Sequence, residues 1–234
     1  MTPDPNRPRL LFVAPTIQEY NAVHHALIDL IKSGKIGLAM SGMGPDSAVS
    51  LCKELEAQDR PLAGLVLLGW AGGLAQNLQA GDVVIASSAL NTWGSVQPCC
   101  LMPIPGVIKG PILTVSTPAR IPKEKKALRT SGAVAVEMEA YPLASWARVK
   151  GLPFIHTRVV LDTADESLPD LGKSLDTFGN VFLFQFAMRL ISKPRLMGQM
   201  YTLHCKIRNL APSLGLLSKK VAWSWFEQSP TPIG

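Results

Sequence analysis

The sequence has few cysteines, and their spacing suggests neither a metal site nor a disulfide framework. The cysteines are Cys52, Cys99, Cys100 and Cys205, and no two of them form a C-x-x-C pair. None has a histidine at ligand spacing, and the four histidines of the chain form no metal-spaced pair with an acid. We therefore expect reduced thiols, no bound metal and a protein outside the disulfide-rich secreted class.

Long hydrophobic runs are also missing at the start of the chain. Residues 1–9 are polar and rich in proline, and the apolar run at 10–15 is too short for a signal peptide or a membrane span. This pattern predicts a cytoplasmic protein. A chain of 234 residues with 47% hydrophobic side chains is long enough and apolar enough to close one substantial core.

Acidic residues are scarce towards the C-terminus. After Asp176 the sequence contains one acid, Glu227, while the basic residues from 189 onward are Arg189, Lys193, Arg195, Lys206, Arg208, Lys219 and Lys220. Apolar side chains between them favour either docked helices with solvated lysines or a basic amphipathic surface in peripheral contact with anionic lipid. The charge accompanies no nucleic-acid reading motif. We predict a main domain at 1–191 and a basic amphipathic extension at 192–234, packed on or near it.

Short apolar runs and helical patterns alternate along the chain. The runs that predict strands lie at 9–13, 36–40, 65–68, 82–87, 111–115, 133–136 and 153–160. The patterns that predict helices lie at 19–31, 47–57, 139–149 and 176–191. Such alternation predicts an α/β fold with three αβα layers, in which a central mixed, mostly parallel sheet is covered on both faces.

Three segments with unusual polar or glycine content follow predicted strands. They read G-W-A-G-G-L at 69–74, V-E-M-E-A at 136–140 and R-V-V-L-D-T-A-D at 158–165. Ligands of open α/β sheets bind outside the carboxyl ends of the strands. We therefore expect the three segments to form one site.

The order and spacing of these segments resemble the nucleoside phosphorylase and nucleosidase superfamily, particularly its methylthioadenosine and adenosylhomocysteine nucleosidases. The resemblance covers about residues 10–191. It implies a nucleoside phosphorylase-like fold, a homo-oligomer and a small-molecule nucleoside substrate. The implied reaction is cleavage of the N-glycosidic bond of a purine nucleoside or a 5′-substituted nucleoside, which needs no metal or organic cofactor.

By the same resemblance, Asp162 matches the acid that protonates or hydrogen-bonds the purine. A purine anion is a poor leaving group, so an acid at the base supplies general acid catalysis. Burial at a strand end would raise the pKa of Asp162 enough to hold a proton near neutral pH. The alternative is that Asp162 caps the turn that follows.

The V-E-M-E-A and glycine segments supply the residues implied to bind substrate. Glu139 matches the acceptor of hydrogen bonds from the ribose hydroxyls, and Met138 matches the residue that packs against the sugar. Glu137 is predicted to point away from the site, and the alternative role for the acids is a solvated helix N-terminus. In the glycine loop, Trp70, Ala71 and Gly72 are expected to line the site, with the indole filling volume near the sugar and the nucleophile.

Glu19 and Arg158 match the pair that positions the attacking water. Glu19 follows the first strand and A-P-T, and its alternative role is that of an ordinary glutamate in the first turn of a helix. Arg158 lies inside an apolar strand, where a charge is costly unless it is paired. We therefore expect a carboxylate, Glu19 or Glu139, beside it.

The nucleophile is predicted to be water rather than phosphate. Residues 65–68, before the glycine loop, contain no arginine, and the S-G-M-G turn at 41–44 has no basic partner. Trp70 and Leu161 stand where the nucleosidases usually have serine, so the base specificity stays open. The alternatives are a phosphate-dependent phosphorylase or a non-catalytic nucleoside-binding protein.

Two more specific resemblances bear on the substrate. Residues 151–154, 158–162 and 192–196 are similar to hopanoid-associated phosphorylases, whose implied substrate is a nucleoside joined to a triterpenoid lipid. The A-P-T segment and its downstream glutamate resemble futalosine hydrolases. A lipid-linked substrate would account for a basic, tryptophan-bearing tail.

Overall fold

The computed structural model of the protein describes residues 8–58, 60–170, 178 and 195–228. The strands are β1 (Arg9–Ala14), β2 (Ile36–Met40), β3 (Leu62–Gly73), β4 (Val83–Leu90), β5 (Val96–Pro98), β6 (Ile108–Thr114), β7 (Ala135–Glu137) and β8 (Phe154–Asp162). The helices are α1 (Ile17–Lys32), α2 (Pro45–Gln58), α3 (Pro122–Leu128), α4 (Ala140–Val149) and α5 (Arg195–Gln228). A 3-10 turn, Arg129–Ser131, follows α3.

The strands form one mixed sheet in the order β2-β1-β3-β7-β6-β4-β5, and β8 pairs with both β3 and β4. The pairs β1/β2, β1/β3, β3/β8, β4/β6 and β6/β7 are parallel. The pairs β3/β7, β4/β5 and β4/β8 are antiparallel. The central mixed, mostly parallel sheet is therefore confirmed.

Part of this sheet closes on itself, which the sequence did not predict. The strands β3, β8, β4, β6 and β7 pair in succession, and β7 pairs again with β3. A cluster of small apolar side chains fills the inside of this ring: Ala71, Val84, Ala86, Ile112, Ala135 and Val160. Alternate residues of a strand face opposite sides, so the neighbours of these residues point out of the ring.

Helices cover the sheet on both faces, as expected for three αβα layers. On one face, α1 and α5 contribute to an apolar cluster with Phe12, Val66 and Val159. On the other face, α2 and α4 pack against Val13, Leu65 and other sheet residues. The arrangement is the α/β fold that the alternating pattern predicts.

The C-terminal helix α5 packs against α1 through an apolar face. Its residues Leu214, Leu217, Val221 and Ala222 belong to the same cluster as the sheet residues on that side. At Gly215, an added Cβ would lie 3.3 Å from the carbonyl oxygen of Ala22, so glycine permits the close approach of the two helices. Helix α5 thus shares its core with the rest of the chain, and the domain boundary at residue 191 stays a prediction.

Two outcomes concern the ends of the sequence-based prediction. The helix predicted at 176–191 lies outside the described residues, apart from Phe178. None of the described helices combines the length and the apolar character needed to cross a membrane.

Candidate active site

The carboxyl end of β3 forms the centre of the candidate site, and its glycines are required by close contacts. A Cβ at Gly69 would collide with Oε1 of Glu19 and with Nη1 of Arg158. A Cβ at Gly72 would lie 3.5 Å from Oδ2 of Asp162 and 3.2 Å from Val136. The predicted catalytic groups therefore meet at the G-W-A-G-G segment.

Glu19 reaches the G-W-A-G-G segment from the first turn of α1. The helix begins with a capping box in which the Thr16 backbone N–H donates to Oε2 of Glu19 at 2.7 Å. The other carboxylate oxygen, Oε1, accepts a hydrogen bond from the backbone N–H of Trp70 at 2.7 Å. Glu19 thus has both of the roles that the sequence left open, because it caps the helix and also faces β3.

Arg158 is buried at the level of Gly69 and pairs with two carboxylates. Its Nη2 donates to Oε2 of Glu137 and, at 3.1 Å, to Oε2 of Glu139. Its Nε donates to Nε2 of His156 at 3.0 Å. The expected pairing with Glu139 is therefore present, and Glu137 is an additional partner.

The prediction that Glu137 points away from the site is wrong. Strand β7 runs antiparallel to the end of β3, so Glu137 is carried back towards Arg158. Its carboxylate also accepts hydrogen bonds from the Thr114 hydroxyl at 2.6 Å and from the backbone N–H groups of Glu139 and Ala140 at 2.9 Å each. Glu137 therefore anchors the start of α4 to the arginine.

Two carboxyl groups beside Arg158, those of Glu139 and Glu19, have pKa values above the ordinary one. Burial raises the pKa of Glu139 to about 8, and the charge of Arg158 opposes this shift only in part. Burial also raises the pKa of Glu19, again against the effect of Arg158. Burial, together with Arg158, holds the pKa of His156 well below its usual range, so this imidazole is a neutral acceptor.

Asp162 ends β8 and lies opposite Gly72 in the register with β3. It is buried, and the ammonium of the wholly buried Lys125 donates to its Oδ2. Burial raises the pKa of Asp162, while the hydrogen bond and charge of Lys125 act in the opposite direction. The sequence did not single out Lys125, which is one of three lysines at 123, 125 and 126 with no feature to separate it from its neighbours.

Of the loop residues expected to bind substrate, Trp70 lies differently from the prediction. Its backbone N–H and carbonyl belong to the site through Glu19 and Arg158. Its indole packs against the apolar cluster between the sheet and α1, outside the strand ring. Because neighbouring strand residues face opposite sides, the residue after Gly69 must turn away from Arg158. The expectation that the indole fills the space beside the nucleophile is therefore wrong.

The remaining predicted residues lie close to the cluster. Ala71 points its methyl group into the strand ring. Glu139 accepts a hydrogen bond from the backbone N–H of Gly44 at 2.9 Å, and Met138 approaches the same turn, with its Cε 3.7 Å from a Cβ placed at Gly44. The turn between β2 and α2 is thus brought against the V-E-M-E-A segment.

A cavity of about 970 Å³ opens beside Met138 and is lined mainly by apolar side chains. The lining residues are Met43, Thr92, Val115, Ser116, Thr117, Pro118, Ala119, Arg120, Glu124, Ala127, Leu128, Met138, Leu168, Pro169, Asp170 and Leu203. Asp162 is not among them, although Glu124, Ala127 and Leu128 of α3, the helix that carries Lys125, are. The cavity therefore meets the polar cluster at Met138.

Within the described ranges, no group of His, Cys, Asp and Glu side chains has the arrangement of a metal site. The carboxyl groups of Glu19, Glu137 and Glu139 are bonded to Arg158 or to backbone N–H groups. Together the fold and the cluster define an α/β enzyme that handles a polar small molecule at the ends of its strands.

Comparisons with known proteins place this class more narrowly. The family model of the phosphorylase superfamily matches residues 8–99 and 96–182. The chain therefore belongs to the phosphorylase superfamily. No curated protein matches the sequence.

Solved structures with the same fold match nearly the whole chain at low sequence identity. The 5′-methylthioadenosine/S-adenosylhomocysteine nucleosidase of Helicobacter pylori is 14% identical, with a TM-score of 0.64, over 95% of this chain and 99% of that chain. The futalosine hydrolase of the same organism is 13% identical, with a TM-score of 0.64, over 94% and 100%. The S-adenosylhomocysteine nucleosidase of Streptococcus pyogenes is 17% identical, with a TM-score of 0.62, over 96% and 98%. At these identities the likeness establishes the fold.

Proposed function

We propose that the protein cleaves the N-glycosidic bond of a purine nucleoside or a 5′-substituted nucleoside, with water as the nucleophile. The observation that carries this proposal is the arrangement of polar groups along the end of β3. Glu19 and Arg158 meet at Gly69, and Asp162 faces Gly72. Three residues of extended chain separate these points by about 10 Å, which leaves room for a sugar and a base between them.

Each group has a distinct task in this reaction. Asp162 gives a proton to the departing base, and burial raises the pKa of this acid above its ordinary value. Glu19, whose pKa is also raised, accepts a proton from the attacking water, while Arg158 orients the water and Glu139. Glu139 accepts hydrogen bonds from the ribose hydroxyls, a role that its carboxyl group can fill with or without its proton.

Water is favoured over phosphate by the state of the glycine turn between β2 and α2. The backbone N–H of Gly44, which an anion would use, donates to the Glu139 carboxylate. Residues 41–46 contain no lysine or arginine. A phosphate in this turn would meet the carboxyl group of Glu139 rather than a cation.

The first test is release of free base from a panel of purine nucleosides, with and without phosphate. Asp162→Asn keeps the shape of the side chain and removes the acid, so turnover should fall by about 10²–10⁴-fold while ligand binding is retained. Asp165→Asn is the matched control, because Asp165 is exposed and lies three residues after the buried Asp162. Strict dependence on phosphate would contradict hydrolysis and identify a phosphorylase. Binding of nucleosides without any base release would favour a binding protein.

The apolar cavity beside Met138 supports a bulky, apolar group at the 5′ position of the substrate. Its volume of about 970 Å³ lies in the range of sites that hold sizeable ligands. The panel should therefore include 5′-alkyl nucleosides of increasing chain length. We expect catalytic efficiency to rise with chain length, and a preference for the unsubstituted nucleoside would contradict this assignment of the cavity.

We also propose a cytoplasmic homo-oligomer with peripheral membrane contact through α5. The residues Met197, Tyr201, Leu216 and Trp223 are more than half exposed. They recur at helical spacing on one face of α5, and the exposed Arg208 and Lys219 lie on that same face. An apolar stripe with basic residues fits the surface of an anionic bilayer. The oligomeric state is tested directly by light scattering of the purified protein.

The membrane proposal is tested by sedimentation with vesicles of phosphatidylcholine, with and without phosphatidylglycerol. The double variant Leu216→Ser/Trp223→Ser should lose binding to the anionic vesicles. Trp93→Ser is the control, because Trp93 is 88% exposed but lies between β4 and β5, away from the helix. Equal losses in both variants, or equal binding to neutral vesicles, would contradict a specific contact through α5.

A further inference from the structure

Lys125 forms a buried ion pair with Asp162, the proposed acid. It projects from α3 and has no exposed surface. Its ammonium donates to Oδ2 of Asp162, to the carbonyl oxygen of Thr163 and, at 2.8 Å, to the carbonyl oxygen of Glu166. An ammonium has three protons, so these acceptors use all of them.

Burial of an ammonium costs free energy of desolvation, which a lysine at the surface does not lose. The cost is offset here by one charged and two neutral acceptors that all belong to the end of β8 and the turn after it. The three contacts fix the position of the Asp162 carboxylate relative to its own backbone. They also occupy Oδ2, so Oδ1 is the oxygen that can serve a ligand.

We propose that Lys125 is a positioning residue for Asp162, holding Oδ2 so that Oδ1 meets the departing base and stabilising the carboxylate that forms when the proton leaves. This inference rests on the proposed function. It makes the acid a pair of side chains rather than an isolated carboxyl group.

The step balances without any further reactant. The bond between the sugar carbon and the base nitrogen breaks, and its electron pair goes to the base. The proton on Oδ1 of Asp162 passes to the base, while Lys125 keeps its own protons and pairs with the new carboxylate. Water adds to the sugar carbon and gives its proton to Glu19, after which exchange with solvent returns a proton to Asp162 and removes one from Glu19.

Two further charged groups face this pair. Glu166 follows β8 and accepts from Lys206 of α5 at 2.8 Å. Lys206 lowers the pKa of Asp162 less than Lys125 does, and Glu166 raises it. Replacement of Lys125 therefore removes the larger opposing effect and leaves burial to raise the pKa of Asp162 further.

The test compares the pH dependence of base release in the wild type, Lys125→Met and Lys206→Met. Activity that needs protonated Asp162 is lost as the pH rises through the pKa of that group. In Lys125→Met we expect this loss to move upward by about one to three pH units. The plateau rate should fall about tenfold or more, because the acid is weaker and less well held. Lys206→Met removes a nearby cation that makes no hydrogen bond to Asp162, so the pH at which activity is lost should move much less.

A spectroscopic measurement separates this inference from the proposed function. The ¹³C carboxyl resonance of Asp162, assigned by its absence in Asp162→Asn, reports the titration whether or not any substrate is cleaved. A higher midpoint of the Asp162 titration in Lys125→Met supports the pairing even if no base is released by the wild type. An unchanged Asp162 titration would overturn the inference even if the wild type is a nucleosidase.

A second measurement does not depend on the folding of the methionine variant. In wild-type protein labelled with ¹⁵N-lysine, the Lys125 Nζ resonance should shift with the same midpoint as Asp162. The shift should vanish in Asp162→Asn. A Lys125 resonance that ignores the titration of Asp162 would overturn the proposal.

Discussion

At the scale of single residues, Gly69 allows two charged groups from different elements to meet. Its missing side chain leaves the space in which Oε1 of Glu19 and Nη1 of Arg158 lie. Its neighbour in the strand, Trp70, supplies a backbone N–H to Glu19 while its indole faces the other way. The site therefore needs glycine at 69 for space rather than for an unusual backbone conformation.

We predict that Gly69→Ala disrupts the reaction more than the fold. The added methyl group must displace Glu19 or Arg158, and a shift of about 1 Å in a positioning group lowers turnover by roughly 100-fold. Steady-state rates of base release and thermal unfolding give the two effects separately. Gly198→Ala is the control, because no atom lies within 4 Å of a Cβ there and alanine favours the helix. Full activity in Gly69→Ala would contradict the assigned geometry.

The sequence allowed the reacting residues to be predicted by type, but not all of their partners. Glu19, Glu139 and Arg158 are drawn together as expected, because Glu19 and Glu139 follow strands that pair with β3, and β3 also pairs with the strand that contains Arg158. Lys125 and Glu137 were missed, since their roles depend on the direction of β7 and on the docking of α3. Neither the direction of a three-residue strand nor the docking of a seven-residue helix has a sequence pattern of its own.

At the scale of elements, several strands and helices were predicted close to their observed bounds. Strand β2 was predicted at its observed bounds, and α1 and α4 were predicted to within about two residues at each end. Strand β3 is longer than its apolar run, because pairing with β7 and β8 continues through the glycines at its end. Helix α3 was not predicted, since P-K-E-K-K-A-L contains only two apolar residues after its proline.

The helix α5 shows why a basic tail could not be interpreted from charge alone. One face packs into the core through Leu214, Leu217 and Val221, while Leu216 and Trp223 are exposed. The docked helix drawn from the sequence is therefore present, and contact of the exposed face with anionic lipid stays a prediction. Helical spacing allows this, because residues 217 and 216 lie about 100° apart around the axis.

At the scale of the whole molecule, the proton that Glu139 retains should make the free energy of unfolding depend on pH. The pKa of Glu139 is raised from an ordinary value of 4.5 to about 8 in the folded protein. A raised pKa contributes stability below the unfolded value, and this contribution is lost as the pH rises through the folded value. The free energy of unfolding should therefore fall between about pH 4.5 and pH 8.

The variant Glu139→Gln isolates this contribution. Glutamine cannot ionise, so the variant should lose less stability than the wild type as the pH increases, by roughly 1–4 kcal/mol over this interval. Urea unfolding at about pH 5, 7 and 9 measures the free energy of unfolding of both proteins and so gives this difference. Parallel pH profiles of the two proteins would mean that Glu139 does not retain a proton in the folded state.

The pairing of β3 has a mechanical consequence for the reaction centre. Strand β3 is bonded to β8 along 65–72, but its other flank pairs with β1 only as far as Leu67 and with β7 only at Gly72 and Gly73. Among the described residues, 68–71 therefore have no strand partner on that flank, and the Trp70 backbone is held there by side chains, because its N–H donates to Glu19 and its carbonyl accepts from Arg158. The amide proton of Trp70 should accordingly exchange with solvent whenever Glu19 moves away, without melting of the domain, which ties catalytic alignment to local rather than global stability.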